Sequence, residues 1–275
     1  MKYTPPLNLH FDDEKHIYTE VGTLKPLTGV TNILKNISKG DAFPAWGAKE
    51  TADYITKNIE PITFKLNLGE HKDLESFMKT AKAQWREQSK SAKEVGSAVH
   101  EYIEGYYKGH GVSPEEYLQG LEMPHTELLE VKRCITAFLD WNALKKPKII
   151  YSELRVASKE HWYAGTLDFL FEIDGKLVLG DFKTSKARKE SKAPYKEFED
   201  ARSIYPDYWL QLAAYQIALE EGGITPQERM VVRLDKSTGK AHYFTAPTDL
   251  EFDKKSFLNL REFHKWGSYV ENNLN

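Results

Sequence analysis

Hydrophobic positions keep a helical period over the first half of the chain and then change to short apolar runs. Over Thr126–Asn142, the residues Leu128, Leu129, Val131, Ile135, Phe138 and Leu139 recur at three- and four-residue spacings, and the pattern ends before Pro147. A stripe of this kind predicts an amphipathic helix. After it come Ile149–Val156, His161–Glu172 and Lys176–Thr184, apolar stretches whose last two members are joined by the tight turn Ile173-Asp174-Gly175-Lys176. They read as three meandering strands. A polar connection over 185–206 leads to a helix at Asp207–Glu221 that stops at Gly222-Gly223; glycine there is a common helix terminator. Glu228–Leu234 and Lys240–Ala246 flank a turn and predict a hairpin, and a last helix runs from Leu250 to Tyr269.

Upstream, His16–Thr19 is a short strand-like start with a turn at Gly22, and Thr28 is a candidate N-cap for a short helix with Val30, Ile33 and Leu34 inward. Residues 44–92 have a helical pattern through Trp46, Ala52, Ile55, Phe77 and Trp85, with a loop expected from Pro61 to His71. Lys93–Tyr107 predicts a clearer helix, with Val95, Val99, Ile103 and Tyr107 every fourth residue. Hairpins feeding a strand that a helix then crosses imply an α/β fold, a central mixed sheet with helices on both faces. The expected division is a mostly helical region at 1–92, whose helices could wall the active site, and a core at 93–275.

Within the strand region, Asp168, Asp181 and Lys183 stand among Leu167, Phe169, Leu170, Leu179 and Phe182. Burying a charge costs several kcal/mol unless it is paired or binds a metal. Asp181 and Lys183 are two apart on one strand and so share a face. Two carboxylates from neighbouring strands beside an ammonium make a divalent-metal site suited to phosphodiester hydrolysis, with Mg2+ or Mn2+ the fitting ion for hard oxygen ligands. Glu153, on the preceding strand, is a candidate further ligand or a base that orients water. His100 lies on the Lys93–Tyr107 helix, either a structural histidine or the imidazole that completes the coordination, whereas Glu104 reads as a solvated face residue. Gly180 would admit a ligand or another backbone close to Asp181. Gln211 and Tyr215, four apart on a helix face with Tyr208 nearby, either pack on the sheet or contact a phosphate and a base.

Composition narrows the context. The 275 residues are 40% hydrophobic and 29% charged with a net charge of −3, which does not favour non-specific duplex binding over the whole surface. The charge is uneven: 183–196 holds Lys183, Lys186, Arg188, Lys189, Lys192 and Lys196 against Glu190 alone, either a solvated loop or a guide for a polyanion. Lys186 stands as a candidate DNA contact. Cys134 is the single cysteine, which excludes a disulfide framework and suits a reducing cytoplasm. No signal-peptide pattern and no membrane-spanning stretch is present in the sequence, so no membrane partner is expected.

The segments GSAVH (His100), GTLDF (Asp168), GDFKT (Asp181, Lys183) and QLAAY (Gln211, Tyr215), in this order, resemble the RecB-like branch of the PD-(D/E)XK nuclease superfamily, in particular phage exonuclease-type proteins and mitochondrial genome maintenance exonucleases. The likeness spans 93–220, with a weaker match at 16–50 that includes LTGVTNIL and Trp46. It implies a restriction-endonuclease-like core, His100, Asp168 and Asp181 as metal ligands with the Phe182 carbonyl, and Lys183 as the catalytic lysine. It also implies Gln211 and Tyr215 as a buttress that contacts DNA. The chain lacks the cysteines of iron–sulfur relatives, so no iron–sulfur cluster is expected, and without G-x-x-x-x-G-K no ATP-driven motor is expected. The activity implied is a Mg2+- or Mn2+-dependent exonuclease on DNA ends or single strands, serving replication, recombination or repair in the cytoplasm of a bacterial or phage-infected cell. The alternatives are a structure-specific or restriction-type endonuclease and a non-catalytic DNA-binding recombination accessory protein.

Overall fold

The structure, a computed structural model, describes residues 2–37, 42–67, 72–186, 204–246 and 249–274. The chain forms two compact units, one of Met1–Ile37 with Ala98–Asn275 and one of Ser38–Ser97. The sequence boundary at residue 92 falls inside a helix, α3 (Lys72–Tyr107).

The larger unit is built on an eight-stranded mixed sheet: β1 (Leu9–Asp12), β2 (Ile17–Glu20), β3 (Pro26–Gly29), β4 (Lys148–Ser158), β5 (Tyr163–Ile173), β6 (Lys176–Ser185), β7 (Glu228–Asp235) and β8 (Ala241–Thr245). The order is β1-β2-β3-β5-β6-β7-β8, with β4 paired to β5. β3–β5 and β6–β7 are parallel and the other pairs antiparallel. The helices in this unit are α1 (Val30–Leu34), the end of α3, α4 (Pro114–Gln119), α5 (His125–Lys145), α6 (Pro206–Glu221) and α7 (Leu250–Leu274). Alternation along the strands assigns them to faces. Phe182 turns to α5, its ring 5.6 Å from Phe138 and 5.4 Å from Trp141. Leu170, Leu179 and Val231 turn to the opposite face and join Leu212, Tyr215 and Leu219 of α6, Phe257 of α7 and Ile33 of α1 in one buried cluster. The expected α/β architecture with a helix-flanked mixed sheet is what the chain adopts.

The smaller unit is described by itself: α2 (Ala42–Asn67) and the first part of α3 meet through the rings of Tyr54 and Phe77, 5.7 Å apart.

Several expectations need correction. Thr28 does not cap α1; it lies in β3, and Gly29 holds the cap position with an extended backbone at φ −66 and ψ 137. α2 continues through Pro61 to Asn67, so the loop expected from Pro61 does not begin there. The helix expected at Lys93–Tyr107 is the end of the longer α3. The strand-like start is three strands, the third of which joins β5. Gly180 admits no ligand: it lies opposite Phe169, and a Cβ there would overlap the Phe169 ring. Most of the basic loop, including Arg188, Lys189, Lys192 and Lys196, lies outside the described residues. Among the described residues no helix is long and apolar enough to cross a membrane.

Candidate active site

The site lies where β5 and β6 separate. β4 occupies one edge of β5 along its whole length, from Ser158↔Tyr163 to Lys148↔Glu172. The other edge is shared by β3, at Tyr163 and Ala164, and β6, which pairs from Phe169 to Ile173. Among the described residues, 165–168 of β5 therefore have no strand beside them on that edge. Past Phe169↔Gly180, β6 continues alongside β7 instead. Asp168 and Asp181 are the first residues beyond the last β5–β6 pair, one on each arm of the fork.

Glu153 faces the same opening from β4. Ser152 pairs with Phe169 and Leu154 with Leu167, so Glu153 stands opposite Asp168, outside the ladder, with its backbone at φ +50. A left-handed conformation at a non-glycine residue inside a strand is uncommon and concentrates at functional sites. The facing pattern reverses here on both strands: Leu154 and Leu167 join the same apolar cluster as Tyr151 and Leu170, three residues further along each strand.

The side chains converge. The Phe182 N–H donates to Asp168 Oδ2 at 2.7 Å, and His100 Nδ1, from α3, lies 3.5 Å from the same oxygen. One donor atom from each of His100, Glu153 and Asp168 falls within 4.8 Å of the others. Buried Asp181 is held by Lys183, whose Nζ is 2.7 Å from Asp181 Oδ2. Lys183 Nζ also donates to Gln211 Oε1 at 3.0 Å and lies 4.8 Å from the centre of the Tyr208 ring. Gln211 Nε2 in turn donates to the Tyr215 hydroxyl at 3.0 Å. Gly165 makes room for that tyrosine, since a Cβ there would meet Tyr215 Cε1 at 2.6 Å.

Crowded acids set the electrostatics. Burial, then the charges of Asp168, Glu104 and Asp181, push the Glu153 carboxyl up to about 9. Burial and Asp168 push Asp181 up to about 6, against the lowering influence of Lys183. Burial alone would lower Lys183, but Asp181 and Asp168 outweigh it and its pKa rises, which keeps the ammonium charged. Burial raises Tyr215 well above the ordinary tyrosine range. Carboxyls whose pKa is raised by burial and then by one another's charge are a ready donor set for a hard divalent cation, and one imidazole nitrogen among the oxygens is compatible with it. The residues present fit such an ion.

Three residues from the sequence stand differently from expectation. Tyr215 is buried, so it holds Gln211 and does not present a ring for stacking on a base. Lys186, the candidate DNA contact, meets Glu130 of α5 at 2.7 Å. Glu104, read as a solvated residue, pairs with Lys108 and adds to the charge that Glu153 feels. One contributor was not foreseen: Tyr18 of β2 exchanges a hydroxyl hydrogen bond of 2.9 Å with Thr166 in the open stretch of β5. Tyr208, expected near Gln211 and Tyr215, sets its ring against Lys183 from the first turn of α6.

A strand-borne acid–acid–lysine set at a divergence in a mixed α/β sheet defines a class of metal-using phosphodiesterase sites. A family model described as the PD-(D/E)XK nuclease superfamily matches residues 74–275. The chain belongs to this superfamily, whose members are metal-dependent nucleases, and a nuclease domain of this kind implies DNA as substrate. No curated protein matches the chain. Among solved structures, one titled "Crystal structure of SSO0001" is similar at 14% identity and a TM-score of 0.29, over 61% of this chain and 72% of that one.

Proposed function

We propose that the chain is a Mg2+- or Mn2+-dependent DNA exonuclease that hydrolyses phosphodiester bonds at DNA ends or in single strands, with Asp168, Asp181, Lys183 and Glu153 at its catalytic centre. The observation that carries this reading is the pair of carboxylates at the first unpaired positions of two diverging strands, with a lysine ammonium 2.7 Å from one of them. A structural ion pair would need one acid for Lys183; Glu153 and Asp168 bring two further acids to the same opening, and a divalent cation is what would favour their ionised forms there. The exonuclease assignment draws support from the likeness of the four motifs to stand-alone exonucleases.

In this reading His100, Asp168, Asp181 and the Phe182 carbonyl hold the cation, and Glu153 completes the set or orients the attacking water. When bound, a divalent ion supplies Lewis-acid polarisation of the phosphate and lowers the pKa of water. The Phe182 N–H fixes the Asp168 carboxylate, leaving its other oxygen for the ion. Lys183 is too firmly protonated to act as a base at neutral pH. Its role is to lie against the phosphoryl oxygens as negative charge develops there. Gln211 and Tyr215 set the position of that ammonium. Lys186 exchanges Glu130 for a DNA phosphate.

The test is cleavage of end-labelled linear single-stranded DNA, linear duplex and a closed circle, with Mg2+, Mn2+ or EDTA. Mononucleotide or short-oligonucleotide release from linear DNA, an intact circle, and no reaction in EDTA are expected. Nicking of the circle would replace the exonuclease reading with an endonuclease one, and inertness on every substrate with both metals would contradict the catalytic reading.

A further inference from the structure

We infer that one face of α3, within the Ser38–Ser97 unit, is a binding track for the phosphate backbone of single-stranded DNA. Lys79, Lys82, Arg86, Lys90 and Lys93 follow one another at spacings of three and four residues, and the same spacing runs on in sequence through Ser97 to His100. At 100° per residue the five cations fall in a sector of about 80°, and at 1.5 Å per residue they extend over about 21 Å. All five are exposed. Glu87 and Glu94 stand at the flank of the sector, and only Lys90 meets a carboxylate, Glu94 at 3.7 Å.

Lys79, Lys82, Arg86 and Lys93 have no ion-pair partner among the described residues. Elsewhere, lysines such as Lys148, Lys176 and Lys265 each meet a glutamate (Glu172, Glu228 and Glu262). A row of like charges on a helix face repels itself by a few tenths of a kcal/mol per neighbouring pair. An anionic polymer with regular charge spacing relieves that repulsion and releases its own counterions.

A second feature of the same unit selects the single strand. Beside Lys82 an open groove of about 630 Å3 runs between α2 and α3, lined by Pro44, Ala48, Ala52, Ile55 and Trp85. Arg86 lies 5.3 Å from the centre of the Trp85 ring. Phosphate-binding cations next to an aromatic-walled apolar groove suit a strand whose bases are free to turn out and stack; a duplex keeps its bases inside.

The inference rests on the nucleic-acid substrate named above but not on catalysis, so it is tested in EDTA. Affinity for a labelled single-stranded oligonucleotide and for a blunt duplex is measured over a series of salt concentrations. The Lys82→Gln/Arg86→Gln/Lys93→Gln protein is expected to bind the single strand at least ten-fold more weakly. Its slope of log affinity against log salt is expected to shrink by about two, near 0.7 for each phosphate that the protein no longer neutralises. The charge-matched Lys148→Gln/Lys176→Gln/Lys265→Gln protein should keep the wild-type slope. Lys82→Arg/Lys93→Arg should keep affinity, and Glu94→Gln, which frees Lys90, should tighten it. Equal slopes in the two triple variants, or a weakening confined to the duplex, would overturn the inference. Because no cleavage is read, a protein that proves inactive as a nuclease still gives a decisive result.

Discussion

Lys183 stays charged in a half-buried position because the Asp181 carboxylate lies 2.7 Å away and Gln211 accepts a hydrogen bond from the ammonium. In the proposed mechanism Lys183→Ala removes the group that meets developing phosphoryl charge, so kcat should fall about 100- to 1,000-fold. DNA affinity measured in EDTA should stay within a few-fold of wild type; turnover at the wild-type rate would take Lys183 out of the chemistry. Glu153 makes a pH prediction. In the unfolded chain its carboxyl ionises near 4.5, and in the folded, metal-free chain burial and neighbouring acids hold the proton to about 9. Between those values folding takes up a proton, so the folded state loses stability as pH rises through the window. Asp181, raised to about 6, acts in the same direction. Glu153→Gln should therefore flatten the fall in Tm from pH 5 to pH 9 in EDTA, and an equally steep fall would contradict the assignment. Asp168, Asp181 and Lys183 were legible in the sequence because ionisable residues at strand period among apolar neighbours need a reason to be there. The place of Glu153 was harder to read, since its left-handed backbone and its position opposite Asp168 come from pairing between strands.

At the scale of elements, α6 holds the fork in position through a chain from Tyr215 to Gln211 to Lys183, and β5 receives it at Gly165. Gly165→Ala would force a Cβ to within 2.6 Å of the Tyr215 ring and draw its hydroxyl from Gln211. Such overpacking costs about 1–3 kcal/mol, and kcat should fall with it through the displaced lysine. In Gly165→Ala/Tyr215→Leu the clash is gone, so the drop in Tm should be smaller than the sum of the single drops while kcat stays low. Additive drops in Tm would show that the tyrosine is not what Gly165 accommodates. The strands β4 to β8 and the helices α5 and α6 follow their sequence patterns to within a few residues, because their apolar runs are what the core buries. At Thr28 tertiary pairing overrides a local signal, since the residue is drawn into β3 against β5. Pro61 lies within α2, and nothing in the structure explains why the helix continues through it. The helix α4 was missed although its signal was local: Ser113 caps it by accepting from the Glu116 N–H, with Pro114 at its start.

The whole molecule places its chemistry at a discontinuity in the sheet. A parallel strand from the N-terminus, β3, takes up part of the edge of β5 that β6 leaves, and the gap between them is where the fork opens. No local pattern announces the pairing of Thr28 and Gly29 with Tyr163 and Ala164, which are more than 130 residues away, so the class of fold and the candidate residues were legible in the sequence but not the fork that brings them together. Four short motifs in order marked the superfamily, and the family model spanning 74–275 agrees with them. If the fork holds a cation, adding Mn2+ should raise Tm and EDTA should reverse the gain. The most direct test is diffraction from crystals soaked in Mn2+, recorded at the manganese absorption edge. An anomalous peak about 2.1 Å from carboxylate oxygens of both Asp168 and Asp181 is expected, a distance typical of hard divalent ions. A fork with no peak, its two aspartates turned apart while the ion binds elsewhere, would contradict the assignment of the site.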